Sequence, residues 1–200
     1  MTAPVPTVPP VALTLSPEQG TLGGSNARYE KRLSDLVGLY RDTAAFELLL
    51  GQDDGEPVYW VESSQTEEGP GGLITGISVL EPGKVGDEFF MTRGHLHAIS
   101  DRSELYLGLS GHGVMVLETV SGESTVVEVR PGQAVYVPGN WVHRSVNVGT
   151  ERFATLFCYA ADAGQDYSII ERAGGMKSLV VDQKGQWESR PNPDHRGYAG

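Results

Sequence analysis

Three histidines and one glutamate are the residues best placed to do chemistry in this chain: His95, His97, Glu104 and His143. His95 and His97 are two positions apart, so on a strand they face the same side. Glu104 follows the turn-like stretch SDRS. In ELYLGLS (104–110), period-two alternation puts Leu105, Leu107 and Leu109 on one face and Glu104, Tyr106 and Gly108 on the other. Glu104 and Tyr106 thus point together into space that the leucines do not fill. His143 comes just after the turn VPGNW. Three imidazoles and a carboxylate suit a divalent transition metal. Four protein ligands leave an octahedral ion two positions for water or substrate, whereas a zinc site with four protein ligands is usually closed and structural.

The elements that must position these residues read as β. From Val58 onward come VYWVES, LITGISVL, EFFMT, ELYLGLS, GVMVLET, STVVEV, AVYVP, HRSVNV and FATLFCYA, with Gly, Pro, Asp or Asn at most junctions. The chain holds 26 Gly and 12 Pro, as many tight turns between short strands require. This pattern predicts an all-β sandwich or barrel. Upstream, residues 1–20 are Pro-rich and read as an arm, extended or packed on a neighbouring surface. Leu33, Leu36, Val37 and Tyr40 recur at three- and four-residue spacing and predict a helix within 29–40. Asp42 or Thr43 can cap a second short helix, AAFELLL, which Gly51 would end. A short helix at 166–174, a hairpin in KSLVVDQKGQWES and a polar tail complete the reading.

The net charge of −11 and a pI near 4.8 disfavour nucleic acid as a partner, because an acidic surface repels phosphates. Arg93, Arg102 and Arg144 nevertheless sit near the histidine motifs and make the local charge there different. Cys158 is the single cysteine, so no intrachain disulfide can form, which fits a reducing compartment. The start, MTAPVPTVPPVALTLSP, lacks the basic residues and apolar core of a signal peptide. No stretch approaches the apolar length of a membrane span. The expectation is a cytoplasmic protein without membrane partners.

Two longer motifs sharpen the metal reading. His95-x-His97, six residues, Glu104, six residues and Gly111 resembles the first cupin motif; Gly132, five residues, Pro138, His143, three residues and Asn147 resembles the second. Asn140 stands where a Gly often precedes the last histidine. Beyond the superfamily, KRLSDLVGLY, EPGKVGDEFFMTRGHLHA, SELYLGLSGHG, VYVPGNWVHRSVNVG and YAADAGQDYSII resemble the archaeal-type, cupin glucose-6-phosphate isomerase family over roughly residues 28–182. The resemblance implies an all-β cupin (jelly-roll) β-barrel with an N-terminal arm and a few short helices. Its divisions would be an arm at 1–27, a cupin domain at 28–188 and a polar tail at 189–200. It implies interconversion of glucose 6-phosphate and fructose 6-phosphate in glycolysis and gluconeogenesis, by a homodimer with one divalent metal ion per subunit. Fe2+ is favoured, with Mn2+, Ni2+ and Zn2+ as alternatives.

Chemistry and resemblance together assign roles to particular residues. Glu104 is a candidate both for metal ligand and for the base that moves a proton at C2, and the two roles compete. A hydride shift would need no such base, and the residues leave both routes open. Thr92, the N–H of Gly94 and Tyr106 offer donors beside the metal motif. Ser78, Tyr159 and Tyr167 match family positions that line the sugar-phosphate pocket, with Tyr159 a second catalytic candidate. Gln165 stands where the family has His, and Arg93 where it often has Lys. Gln can donate a hydrogen bond to phosphate but carries no charge. The competing readings are an isomerase of another sugar phosphate, an iron-dependent cupin oxygenase and a non-enzymatic sugar-binding cupin. His112 reads as a solvated turn residue, His195 as part of a disordered tail, and Trp60, Trp141 and Trp187 as core or interface.

Overall fold

A computed structural model describes residues 8–198; the first seven residues of the expected arm and the last two of the tail lie outside the described residues. Strands β1 (Thr14–Ser16) and β2 (Thr21–Gly23) form a small hairpin. It packs on the body of the protein: Leu22 is buried with Trp60, Ile77, Val79 and Ala154, and Trp60 Nε1 donates to the Gly20 carbonyl at 2.7 Å. Then follow β3 (Ala27–Arg32), a 3-10 turn (Leu33–Leu36) and helix α1 (Thr43–Leu50). Strands β4 (Pro57–Gln65), β5 (Leu73–Leu80), β6 (Lys84–Val85) and β7 (Glu88–Phe89) come next. The second half supplies β8 (Glu104–Ser110), β9 (Gly113–Thr119), β10 (Ser124–Val129), β11 (Ala134–Val137), β12 (Trp141–Asn147) and β13 (Phe153–Ala160). Helix α2 (Ser168–Arg172) and the hairpin β14 (Ser178–Gln183) and β15 (Gln186–Pro191) close the described chain.

These strands make the expected all-β jelly roll. An antiparallel six-stranded sheet has the order β11-β8-β13-β5-β4-β3, and a second sheet has the order β10-β9-β12. Bridges from Met91 to Val146 and from His95 to His143 continue the second sheet. Tyr106, Val135 and Phe157 of the first sheet cluster with Met115 and Leu117 of the second. The alternate residues of β9, Val114 and Val116, face a separate core with Met176, Ile170 and Val180. Burial on both faces explains why GVMVLET reads as a continuous apolar run rather than an alternating one.

Two parts differ from expectation. No α-helix forms within 29–40. ARYEKR pairs antiparallel with β4, with a register shift at Lys31/Arg32, and only Leu33–Leu36 turns. The spacing did mark core residues: Leu33, Leu36 and Tyr40 are buried, but Val37 is 71% exposed. A strand end followed by one tight turn satisfies that spacing as well as a helix does. Residues 189–198 are also not a loose tail: β15 crosses position 188, and Asn192 and Tyr198 are buried. Asn192 Nδ2 donates to the carbonyls of Gly174 and Met176, and the Tyr198 hydroxyl donates to the wholly buried Glu118. His195 Nδ1 meets the Gly175 carbonyl at 2.8 Å. As expected, Asp42 caps α1 by accepting from Ala45 N at 2.9 Å and Gly51 ends it.

Candidate metal centre and cleft

The second sheet and the start of β8 bring the four ligand candidates together. His95 and His143 pair across the antiparallel bridge, each N–H donating to the other's carbonyl at 3.0 and 2.9 Å. Glu104, first in β8, lies opposite Tyr159 of β13 and Val137 of β11. The approach to His143 turns through Asn140, whose φ of 68° is left-handed. Asn enters this region more readily than most side-chain-bearing residues, so it serves where Gly is common. Gly139 packs so closely that a Cβ would meet the Asp101 backbone at 2.6 Å.

All four candidates are buried, and their ligand atoms lie within 4.8 Å of one another. Glu104 Oε2 is 3.0 Å from Nε2 of His143, 3.2 Å from that of His97 and 3.9 Å from that of His95. His97 Nδ1 meets the Arg102 carbonyl at 2.8 Å, and His143 Nδ1 meets the Trp141 carbonyl at 3.0 Å. A carbonyl only accepts, so each Nδ1 carries a proton and each Nε2 is left to face the cluster, as metal-ligating histidines require. Nε2 of His95 and of His97 is buried without a hydrogen-bond partner. Orphaned nitrogens converging on a carboxylate are what a cation site demands, and the donor set suits a divalent transition metal.

The electrostatics agree. Burial alone would raise the Glu104 pKa, but the facing His143 and His97 imidazoles outweigh it and hold the carboxyl well below the usual range. Burial, reinforced by the charge of His143, holds His95 well below the ordinary imidazole value and keeps it neutral. His97 moves the other way: burial would lower it, and the facing Glu104 carboxylate and the Arg102 carbonyl raise it. Arg102 is itself fixed by a two-pronged pair with Asp162 at 2.9 and 2.8 Å.

The cluster opens on a cleft. Ser78, Thr92, Gly94, Tyr106, Gln165 and Tyr167 all line it, as does Tyr159, together with His95, Glu104 and His143. His97 stands outside this lining, its ring 5.4 Å from that of Tyr159. Burial and then the nearby Glu104 charge push the phenols of Tyr106 and Tyr159 above their ordinary value, so both remain hydrogen-bond donors. The Tyr167 hydroxyl donates to Gln165 Oε1. Thr92 Oγ1 accepts from Ser145 N at 3.1 Å, and Gly94 holds a φ of 71°.

The cleft also contains Tyr29, Tyr59 and Arg144, which the motifs did not single out for it. Tyr29 was hidden by the helical reading of its segment, although ARYEKR pairs with β4 as a strand. Arg144 is 5% exposed, and burial lowers its guanidinium below the ordinary value. His112 takes no part in the cleft and lies 2.6 Å from Glu128.

Comparison with known proteins agrees with the motifs. Residues 30–196 match the family described as Glucose-6-phosphate isomerase (GPI). The chain is 44% identical over 188 residues to the glucose-6-phosphate isomerase of Sinorhizobium medicae, covering 94% of this chain and 88% of that one. It is 43% identical over 184 residues to the glucose-6-phosphate isomerase of Thermococcus kodakarensis, covering 92% and 95%. A solved oxalate oxidase aligns with 56% of each chain at a TM-score of 0.46 and 16% identity, too slight a likeness to carry an argument.

Proposed function

This chain belongs to the glucose-6-phosphate isomerase family, and on that premise we propose that it interconverts glucose 6-phosphate and fructose 6-phosphate with a divalent metal, Fe2+ by preference, held by His95, His97, Glu104 and His143. The observation that carries the reading is the buried four-residue cluster opening on a cleft lined by the hydroxyl and amide donors that a sugar phosphate needs. Bound there, a divalent cation would supply Lewis-acid polarisation of the substrate's carbonyl.

The chain's own residues supply the rest. Glu104, held ionised, is a strong ligand and a weak proton acceptor, which favours its role as ligand over its role as base. Tyr159 keeps its proton and donates a hydrogen bond to a sugar oxygen beside the cluster. Tyr106 donates from the Glu104 side. Thr92, the N–H of Gly94, Ser78, Gln165 and Tyr167 surround the phosphate and the sugar hydroxyls. A homodimeric assembly, a cytoplasmic location and a place in glycolysis and gluconeogenesis belong to the same proposal; no helix among the described residues is long and apolar enough to cross a membrane.

The test is a coupled assay with glucose-6-phosphate dehydrogenase on the metal-loaded protein, run across several sugar phosphates. Fructose 6-phosphate should be turned over fastest. No turnover with iron, manganese, nickel or zinc, in protein shown to hold metal, would sink the reading.

A further inference from the structure

Tyr29 lines the cleft but has no part in the proposed chemistry. It stands on β3, the edge strand of the six-stranded sheet, and pairs with Val61 of β4. Val61 pairs in turn with Ser78 of β5, and Ser78 with Thr155 of β13. Residues opposite one another in a sheet point to the same face. Tyr29, Val61 and Ser78 thus form one register row, and all three line the cleft. No strand of that sheet lies beyond β3, so Tyr29 ends the row at the open side of the cleft.

Core packing does not account for this ring. Tyr29 is 44% exposed and belongs to none of the three buried apolar clusters among the described residues. It meets the Tyr59 ring edge-on, with 6.5 Å between centroids. Exposed edge strands are usually charged, as the neighbours of Tyr29 are. Arg28 pairs with Glu62 and Arg32 with Glu30, so those charges have partners within the sheet. The hydroxyl end of Tyr29 is sheltered where its ring is not. Burial first, and then the phenols of Tyr167, Tyr59 and Tyr159, push it above the ordinary phenol range. The side chain therefore spans from the rim into the cleft. Tyr167, 39% exposed, comes from the segment after β13. Its ring lies 5.7 Å from that of His95, and its hydroxyl donates to Gln165 Oε1. Two half-exposed tyrosines, far apart in sequence, flank the opening.

A phenol suits such a place, because its ring packs on the C–H face of a sugar while its hydroxyl bonds to an oxygen. Tyr29 is four strands from Glu104 in the sheet order, so it meets the end of a bound molecule away from the four-residue cluster. We propose that Tyr29 is a specificity-determining residue that touches the substrate: facing Tyr167 across the mouth of the cleft, it limits the length of sugar phosphate that the cleft accepts. The proposal rests on the isomerase reading of the same site.

The experiment compares the metal-loaded full chain with Tyr29→Ala and Tyr29→Phe. The substrates are ketose phosphates of five, six and seven carbons, fructose 6-phosphate among them, with the aldose products measured by mass spectrometry. Tyr29→Ala should keep its metal and raise KM for fructose 6-phosphate about tenfold, with kcat changing less; its preference for six carbons over seven should narrow by about tenfold or more. Tyr29→Phe keeps the ring, so it should keep the six-carbon preference while KM rises roughly two- to tenfold from the lost hydrogen bond. If the Ala variant does not fold, the KM of Tyr29→Phe decides. Native KM and native chain-length preference in Tyr29→Ala would overturn the proposal and leave the isomerase reading standing. A fall in kcat together with lost metal, at unchanged preference, would make Tyr29 structural and overturn it too. Native protein that turns over no ketose phosphate would refute the isomerase reading, and the role of Tyr29 with it.

Discussion

Replacing Gly94 by Ala would put a methyl group 2.7 Å from the His143 carbonyl oxygen and 2.9 Å from Ile170 Cδ1, at a φ of 71°. The left-handed backbone costs a side-chain-bearing residue roughly 1–2 kcal/mol. Overpacking against a backbone atom that cannot swing away adds about 1–3 kcal/mol. The sum, about 2–5 kcal/mol, translates into a fall in thermal midpoint of roughly 4–20 °C for a chain of this size. The carbonyl that would be struck also accepts the His95 N–H at 3.0 Å, so relief of the clash parts two of the proposed metal ligands. Gly122→Ala is the control: its φ is 99° with nothing within 4 Å of the added Cβ, so only the backbone cost remains. The measurements are thermal unfolding of both variants and metal content by elemental analysis. Gly94→Ala should be the less stable and should lose metal. Equal midpoints in the two variants, with a full metal complement in each, would refute the reasoning.

Other outcomes follow from the same geometry. Asp162→Asn removes the anchor of Arg102, whose carbonyl orients His97; metal affinity should fall roughly tenfold or more in a competition titration, and unchanged affinity would disconnect that pair from the site. Burial raises the Glu88 carboxyl above 4.5, so the folded chain binds this proton more tightly than the unfolded one. Its stabilising effect is present below that value and is lost as pH rises through the folded pKa. Glu88→Gln should therefore gain in thermal midpoint relative to native as pH rises above about 4.5, and a pH-independent difference would contradict this. Gln165→His should leave turnover of fructose 6-phosphate equal or better, and a collapse would mean that the cleft serves a different substrate.

What could be read from the sequence follows a physical divide. The histidine and glutamate ligand candidates, Tyr106 and the donors around them sit on strands or beside turn residues, where period-two alternation and Gly, Asn or Pro state the geometry locally. Each of these residues reaches the cluster or the cleft as that alternation requires. Tyr29 and the Arg144 environment were not legible, because both depend on partners far along the chain: β4 for Tyr29, and Met91 and Arg93 for Arg144. The 189–198 segment was misread for a related reason. Its composition is polar, yet Asn192 and Tyr198 are there to satisfy buried carbonyls and a buried carboxylate that the local sequence does not show.

The central claim is that one cation, held by four named side chains, is what the isomerisation needs. Chelation followed by stepwise reloading tests it most directly, with fructose 6-phosphate turnover and bound metal followed together in native protein and in His143→Ala. Native activity should vanish with the metal, return in proportion to it and saturate at about one ion per chain, while His143→Ala should neither retain metal nor turn over. Full activity in the metal-free protein, or in His143→Ala, would contradict the account.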